Sequence, residues 1–98
     1  MRKYILEGKI AVPTDDLIAW GRCFEGASRI VKQEDVGDAH VSTVFLGIDH
    51  RHRDGPPLLF ETMVFGGPLD GEQERCSTWE QAEAQHAATV ERVKEQIQ

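Results

Sequence analysis

Cysteine is nearly absent from this chain: Cys23 and Cys76 are the whole supply. Two thiols so far apart build neither a disulfide scaffold nor a zinc module, and a reduced pair in a cytoplasm is the default. Enzyme signatures are missing as well. No CxxC, HExxH or GxSxG spacing occurs, and the glycine-rich stretch Gly66–Gly71 has neither the dinucleotide-binding nor the P-loop spacing. Apolar runs fall far short of the ~20 residues that span a bilayer. The start Met1-Arg2-Lys3-Tyr4-Ile5-Leu6-Glu7 is basic but has no apolar core or small-residue cleavage site, so it does not read as a signal peptide. Basic residues are in deficit, with 11 Lys and Arg against 17 Asp and Glu and a formal net charge of −6. Nucleic-acid binders present the opposite balance, so direct nucleic-acid binding is not expected. No block of five or six like charges concentrates the acidity, which reads as a solubility feature.

What is present describes one globular domain over residues 1–98, with 40% apolar and 29% charged content. The richest stretch is Val41–Gly67, VSTVFLGIDHRHRDGPPLLFETMVFGG. Two β-branched and aromatic runs, Val41–Ile48 and Leu58–Phe65, flank a polar tip closed by Asp54-Gly55-Pro56-Pro57, which predicts a β-hairpin. Both runs are apolar on both faces. Val44, Leu46 and Ile48 oppose Val41, Thr43 and Phe45 on the first strand; Leu59, Met63 and Phe65 oppose Leu58, Phe60 and Val64 on the second. A sheet of that kind needs cover on two sides.

Tyr4–Leu6 and Lys9–Val12 around Glu7-Gly8 read as a short strand or small hairpin. Thr14 is the expected N-cap of a first helix, with Asp15 and Asp16 in its first turn and Leu17, Trp20, Phe24 and Ala27 as its apolar stripe. Arg29–Glu34 reads as a strand and Asp35–Asp38 as a turn. Glu72–Cys76 is a candidate polar edge strand. Ser77 and Glu80 fit a capping box for a last helix, whose stripe is Trp79, Ala82, His86, Val90, Val93 and Ile97. The expected fold is α+β: an antiparallel sheet of four to five strands packed against two amphipathic helices. With both helices side by side on one face, the other face lies bare, and an apolar patch there marks an interface. A homodimer centred on Phe45, Phe60 or Val64 is the expected consequence; the alternative is that the helices cover one face each and leave a monomer.

Four groups of residues are candidates for chemistry. Asp49-His50-Arg51-His52-Arg53-Asp54 gathers histidines, carboxylates and guanidiniums at the hairpin tip; it reads as a metal site or as a solvated polar turn, and the adjacent arginines repel a cation. Glu61 stands among apolar neighbours, opposite Leu46 if Asp49 pairs with Leu58. Such a carboxylate is functional with a raised pKa, or it lies on the wetter face of the sheet, or it is paired with an arginine. His86 lies on the apolar stripe of the last helix, as a satisfied core residue or as an acid–base partner of Glu61. Cys76, beside a helix start, is a candidate for a lowered thiol pKa.

The segments VSTVFLGIDH, GPPLLFETMVFGGPLDGE and STWEQAEAQH resemble a group of small uncharacterised proteins encoded by bacteriophages and prophages. The resemblance runs from Val36 to about Val90. It brings no catalytic residues, and it implies a variable segment after Asp49-His50, which leaves His52 unsupported as a ligand. It implies a non-enzymatic accessory protein acting in the host cytoplasm on a host protein or complex, in its most specific form an anti-defence, anti-CRISPR-like inhibitor. The binding residues would be Phe45, Phe60, Val64 and Glu61 on the sheet or His50, Arg51 and Arg53 at the tip, with no cofactor or metal. The alternative is a small metal-dependent enzyme or ligand-binding domain using Glu61, His50 and His86.

Overall fold

The computed structural model describes residues 2–26, 29–49 and 54–97. The elements are β1 (Lys3–Glu7), β2 (Ile10–Thr14), α1 (Leu17–Cys23), β3 (Ile30–Val36), β4 (Ala39–Phe45), β5 (Phe60–Phe65), β6 (Gln73–Cys76) and α2 (Trp79–Gln96). Strands β3 to β6 form a four-stranded antiparallel meander in chain order, and β1 and β2 form a separate two-stranded hairpin. The α+β class holds, with the strands divided between two sheets.

Turn chemistry sets the meander. Val36 pairs with Ala39 across Gly37-Asp38, and Gly37 takes the left-handed φ of 59° that such a tight turn needs. Between β5 and β6 the chain folds back on itself. Asp70 Oδ1 accepts from Gly66 N at 2.6 Å and Gly71 N donates to Val64 O at 2.8 Å.

The central hairpin is shorter than the apolar runs predict. Phe45 pairs with Phe60 and Val44 with Glu61, so Glu61 lies opposite Val44 and not Leu46. The cause is Gly47, whose φ of 75° turns the chain out of β4. The next residues serve β1 instead: Tyr4 N donates to Gly47 O at 2.8 Å, and Lys3 bridges to Ile48. The indole of Trp20 also donates to Gly47 O, at 3.0 Å. One backbone carbonyl thus ties the first hairpin and α1 to the end of the large sheet.

α1 is capped two residues later than expected. Asp16 is its N-cap, accepting from Ile18 N at 3.0 Å and Ala19 N at 3.1 Å, while Thr14 Oγ1 accepts from Asp16 N. The helix packs on β1, not beside α2. Its predicted stripe is only half realised, with Trp20 and Phe24 turned inward, Leu17 63% exposed and Ala27 outside the described residues.

α2 begins at a capping box of Thr78 and Gln81, one residue past the predicted Ser77 and Glu80. Gln81 wins because its Oε1 reaches both Ser77 N and Thr78 N, at 3.0 and 3.1 Å. The helix lies across the meander and seals one face of it. Val36, Ala39, Val41 and Val64 pack there with Val90 and Val93. Phe45, Leu59, Phe60 and Ala82 form the neighbouring cluster, joined by Tyr4, Leu6 and Trp79. Phe45, Phe60 and Val64 are therefore core residues, buried beneath α2, and cannot form the centre of a dimer interface. Trp79, the first residue of the predicted stripe, is only half-buried, against the edge of Phe60. No described helix is long and apolar enough to cross a membrane.

Candidate functional site

Strand alternation gives the meander two chemically different faces. On the α2 side, between the apolar clusters, runs a chain of polar groups. Gln85 Nε2 donates to Thr62 Oγ1 at 2.9 Å, Thr62 Oγ1 meets Thr43 Oγ1 at 2.7 Å, and Thr43 Oγ1 meets His86 Nδ1 at 2.7 Å. His86 Nε2 completes the chain at Glu34 Oε1, 2.8 Å away. An ionised carboxylate only accepts and an amide N–H only donates, which orients every bond when the imidazole is neutral. Nε2–H donates to Glu34, Nδ1 accepts from Thr43, Thr43 accepts from Thr62, and Thr62 accepts from Gln85. Among the described residues no buried side-chain nitrogen or oxygen lacks a partner.

The Glu34–His86–Thr43 sequence of contacts has the order of a carboxylate–imidazole–hydroxyl triad. Its hydroxyl is sealed: Thr43 is 0% and His86 1% exposed. With no room for a reacting carbonyl beside Thr43 Oγ1, the array orients α2 on the sheet. The hydrogen bond from His86 holds the Glu34 carboxyl below its usual range, with the nearby Lys32 ammonium acting in the same direction and burial against it. His86 is thus a satisfied core residue, and its partner is Glu34, not Glu61. The sequence signal for the network was present but faint: threonines at inward positions of two paired strands, facing the one histidine of an apolar helix stripe.

The opposite face of the meander carries His40, Ser42 and Val44 from β4 and Glu61, Met63 and Phe65 from β5. Val44 and Met63 are half-buried and Phe65 is 49% exposed. An ion pair on one side and a hydrogen-bonded pair on the other flank this apolar patch. Arg75 Nε donates to Glu61 Oε2 at 2.9 Å on the β6 side, and His40 Nδ1 meets Asp35 Oδ1 at 2.8 Å on the β3 side. The ring of His40 also leans on Phe65, with centroids 6.3 Å apart. Of the readings the sequence left open, Glu61 is accordingly the arginine-paired carboxylate. Because Glu61 and His86 project from opposite faces, they form no acid–base pair, and the enzyme reading that joined them has no geometry.

His50, Arg51 and Arg53, with His52, lie outside the described residues. At the base of the tip, Asp49 Oδ1 accepts from Leu58 N at 3.0 Å, a turn-closing bond. No cluster of three His, Cys, Asp or Glu side chains that could hold a metal ion occurs among the described residues. Cys76 departs from its expectation: burial, reinforced by the charge of Glu74, pushes its thiol up to about 11, against the opposing effect of a backbone hydrogen bond at Thr78.

A cleft of about 270 Å³ opens where the β1–β2 turn meets the start of α2. Tyr4, Ala11, Leu59, Phe60 and Trp79 form its apolar walls, and Lys9, Ile10 and Glu80 stand around it. Comparison with known proteins finds no matching family model, no matching curated protein and no matching solved structure.

Proposed function

We propose that this chain is a non-enzymatic binding protein of phage or prophage origin that contacts a host protein in the host cytoplasm, in its most specific form as an anti-defence inhibitor. The observation that carries the reading is the outer face of the meander, where Val44, Met63 and the exposed Phe65 sit between the Glu61–Arg75 and Asp35–His40 pairs. An apolar centre with a charged rim is the anatomy of a protein interface. The phage context rests on the resemblance of VSTVFLGIDH, GPPLLFETMVFGGPLDGE and STWEQAEAQH to phage-encoded proteins. Self-association through the same face is the symmetric form of the proposal, with Phe65 in the place first assigned to Phe45, Phe60 and Val64.

Affinity capture from host extract tests it, with the wild-type chain and the double variant M63E/F65E side by side. Both substitutions lie on the outer face, so folding should survive and a specific partner should be lost. Retention of the same partner by the folded double variant contradicts the reading.

A further inference from the structure

We propose that the cleft between the β1–β2 turn and α2 is a binding site for a small monocarboxylic acid with a single apolar ring or a branched aliphatic body. The cleft encloses about 270 Å³, slightly below the ~300–1,000 Å³ range of drug-sized sites, so its occupant is small. Tyr4, Phe60 and Trp79 supply aromatic walls and Leu59 and Ala11 an aliphatic floor. Phe60 and Trp79 already meet edge to face at 6.2 Å and 86°. A ring entering beside them finds the same edge and face contacts that aromatic clusters prefer.

The acid group is argued from Lys9. Its Nζ stands 5.8 Å from the Trp79 ring centroid, and among the described residues its ammonium forms no ion pair. A cation held over an indole at the mouth of an apolar cleft is placed to meet a carboxylate whose body is buried below it. Glu80 lines the same cleft from the first turn of α2. One carboxylate is balanced by Lys9; a second would face Glu80 unpaired. Hence the ligand is a monoacid. The site lies apart from the outer sheet face, so its failure leaves the protein-binding proposal untouched, and the reverse holds.

The test is an NMR titration of the full isotope-labelled chain with 3-phenylpropionate and with 4-methylpentanoate, each beside its neutral amide. The expected result is a saturable shift of the Trp79 indole N–H and the Ala11 amide, with Met63 and Phe65 unmoved. The amides should bind about fivefold more weakly, the equivalent of the ~1 kcal/mol of a partly exposed ion pair. Lys9 is on an exposed turn, so K9Q should stay folded and should bind acid and amide alike. No saturable shift with either acid, shifts scattered away from the cleft, or equal affinity of acid and amide for the wild-type chain would overturn the proposal.

Discussion

His86 on α2 and Glu34 on β3 are joined by a 2.8 Å contact between Nε2 and Oε1, and this pair fixes how the long helix sits on the sheet. Apolar stripes tolerate sliding and rotation, because any apolar neighbour serves. A buried imidazole whose two nitrogens each have one partner does not. Moving α2 by a turn would bury His86 against valines and strand the hydroxyls of Thr43 and Thr62. Glu34 stands at the rim, with its side chain 35% exposed, so the network reaches solvent at that carboxylate and, at its other end, at the half-buried Gln85.

Replacing His86 should therefore cost more than the packing volume it fills. His86→Ala removes a buried ring and leaves the Thr43 hydroxyl without its acceptor, a combined loss of about 2–4 kcal/mol. Thr43→Val keeps the shape and deprives Nδ1 of its donor, a loss of about 1–2 kcal/mol. Urea unfolding of both variants checks the order. Equal stability of wild type and His86→Ala would remove the network from the account of the fold.

The lowered pKa of Glu34 gives a pH dependence with a definite sign. Folded Glu34 ionises below its ordinary 4.5, so above that value both states are ionised and the contribution is complete. As pH falls from 4.5 towards the folded value, the unfolded chain binds the proton first and stability drops; below the folded value the contribution is gone. Unfolding free energies measured from neutral to acid pH should lose part of this slope in Glu34→Gln. An unchanged acid limb would show that the carboxylate gains nothing from His86 and Lys32.

The two faces of the sheet should respond differently to the same kind of change. Phe60→Ala opens a cavity beneath α2 and should cost about 3–5 kcal/mol. Phe65→Ser, on the outer face two residues beyond Met63 and 49% exposed, should stay within about 0.5 kcal/mol. Thermal denaturation separates them. A comparable loss at Phe65 would mean that the outer face is covered within the chain.

Gly66 should not accept a side chain. Its φ is 83°, and an added Cβ would lie 2.7 Å from the carbonyl oxygen of Asp38, a backbone atom that cannot swing away. Gly66→Ala should destabilise by more than ~1 kcal/mol. Gly71, at φ 87° with open space around it, should suffer only the conformational part of that loss. Similar losses at the two positions would contradict the close approach of the β3–β4 turn to Gly66.

Much of this architecture could be read from residue patterns. The central hairpin, the last helix and the α+β class follow from β-branched runs, turn glycines and a 3.6-residue stripe. The register did not follow, because Gly47 looks like an ordinary strand glycine until β1 arrives to take its carbonyl. Which apolar face is the core was equally hidden. Val41, Phe45, Phe60 and Val64 are no more apolar than Val44, Met63 and Phe65; only the threonines opposite His86 mark the side that α2 covers. Glu61 was placed on the correct face by alternation alone, but its partner Arg75 depended on where β6 would pair. Glu34 went unnoticed because its partner lies 52 residues away.

The proposed interface is tested most directly by site-specific photocrosslinking in host extract, with a benzophenone side chain at Met63 on the outer face and, as the control, at the exposed Glu83 on α2. The expected result is one discrete adduct from position 63, competed by unlabelled wild-type chain, with its mass distinguishing a host protein from a second copy. Position 83 should give none. No adduct from position 63, or the same adduct from both positions, would contradict the assignment of this face as the binding surface.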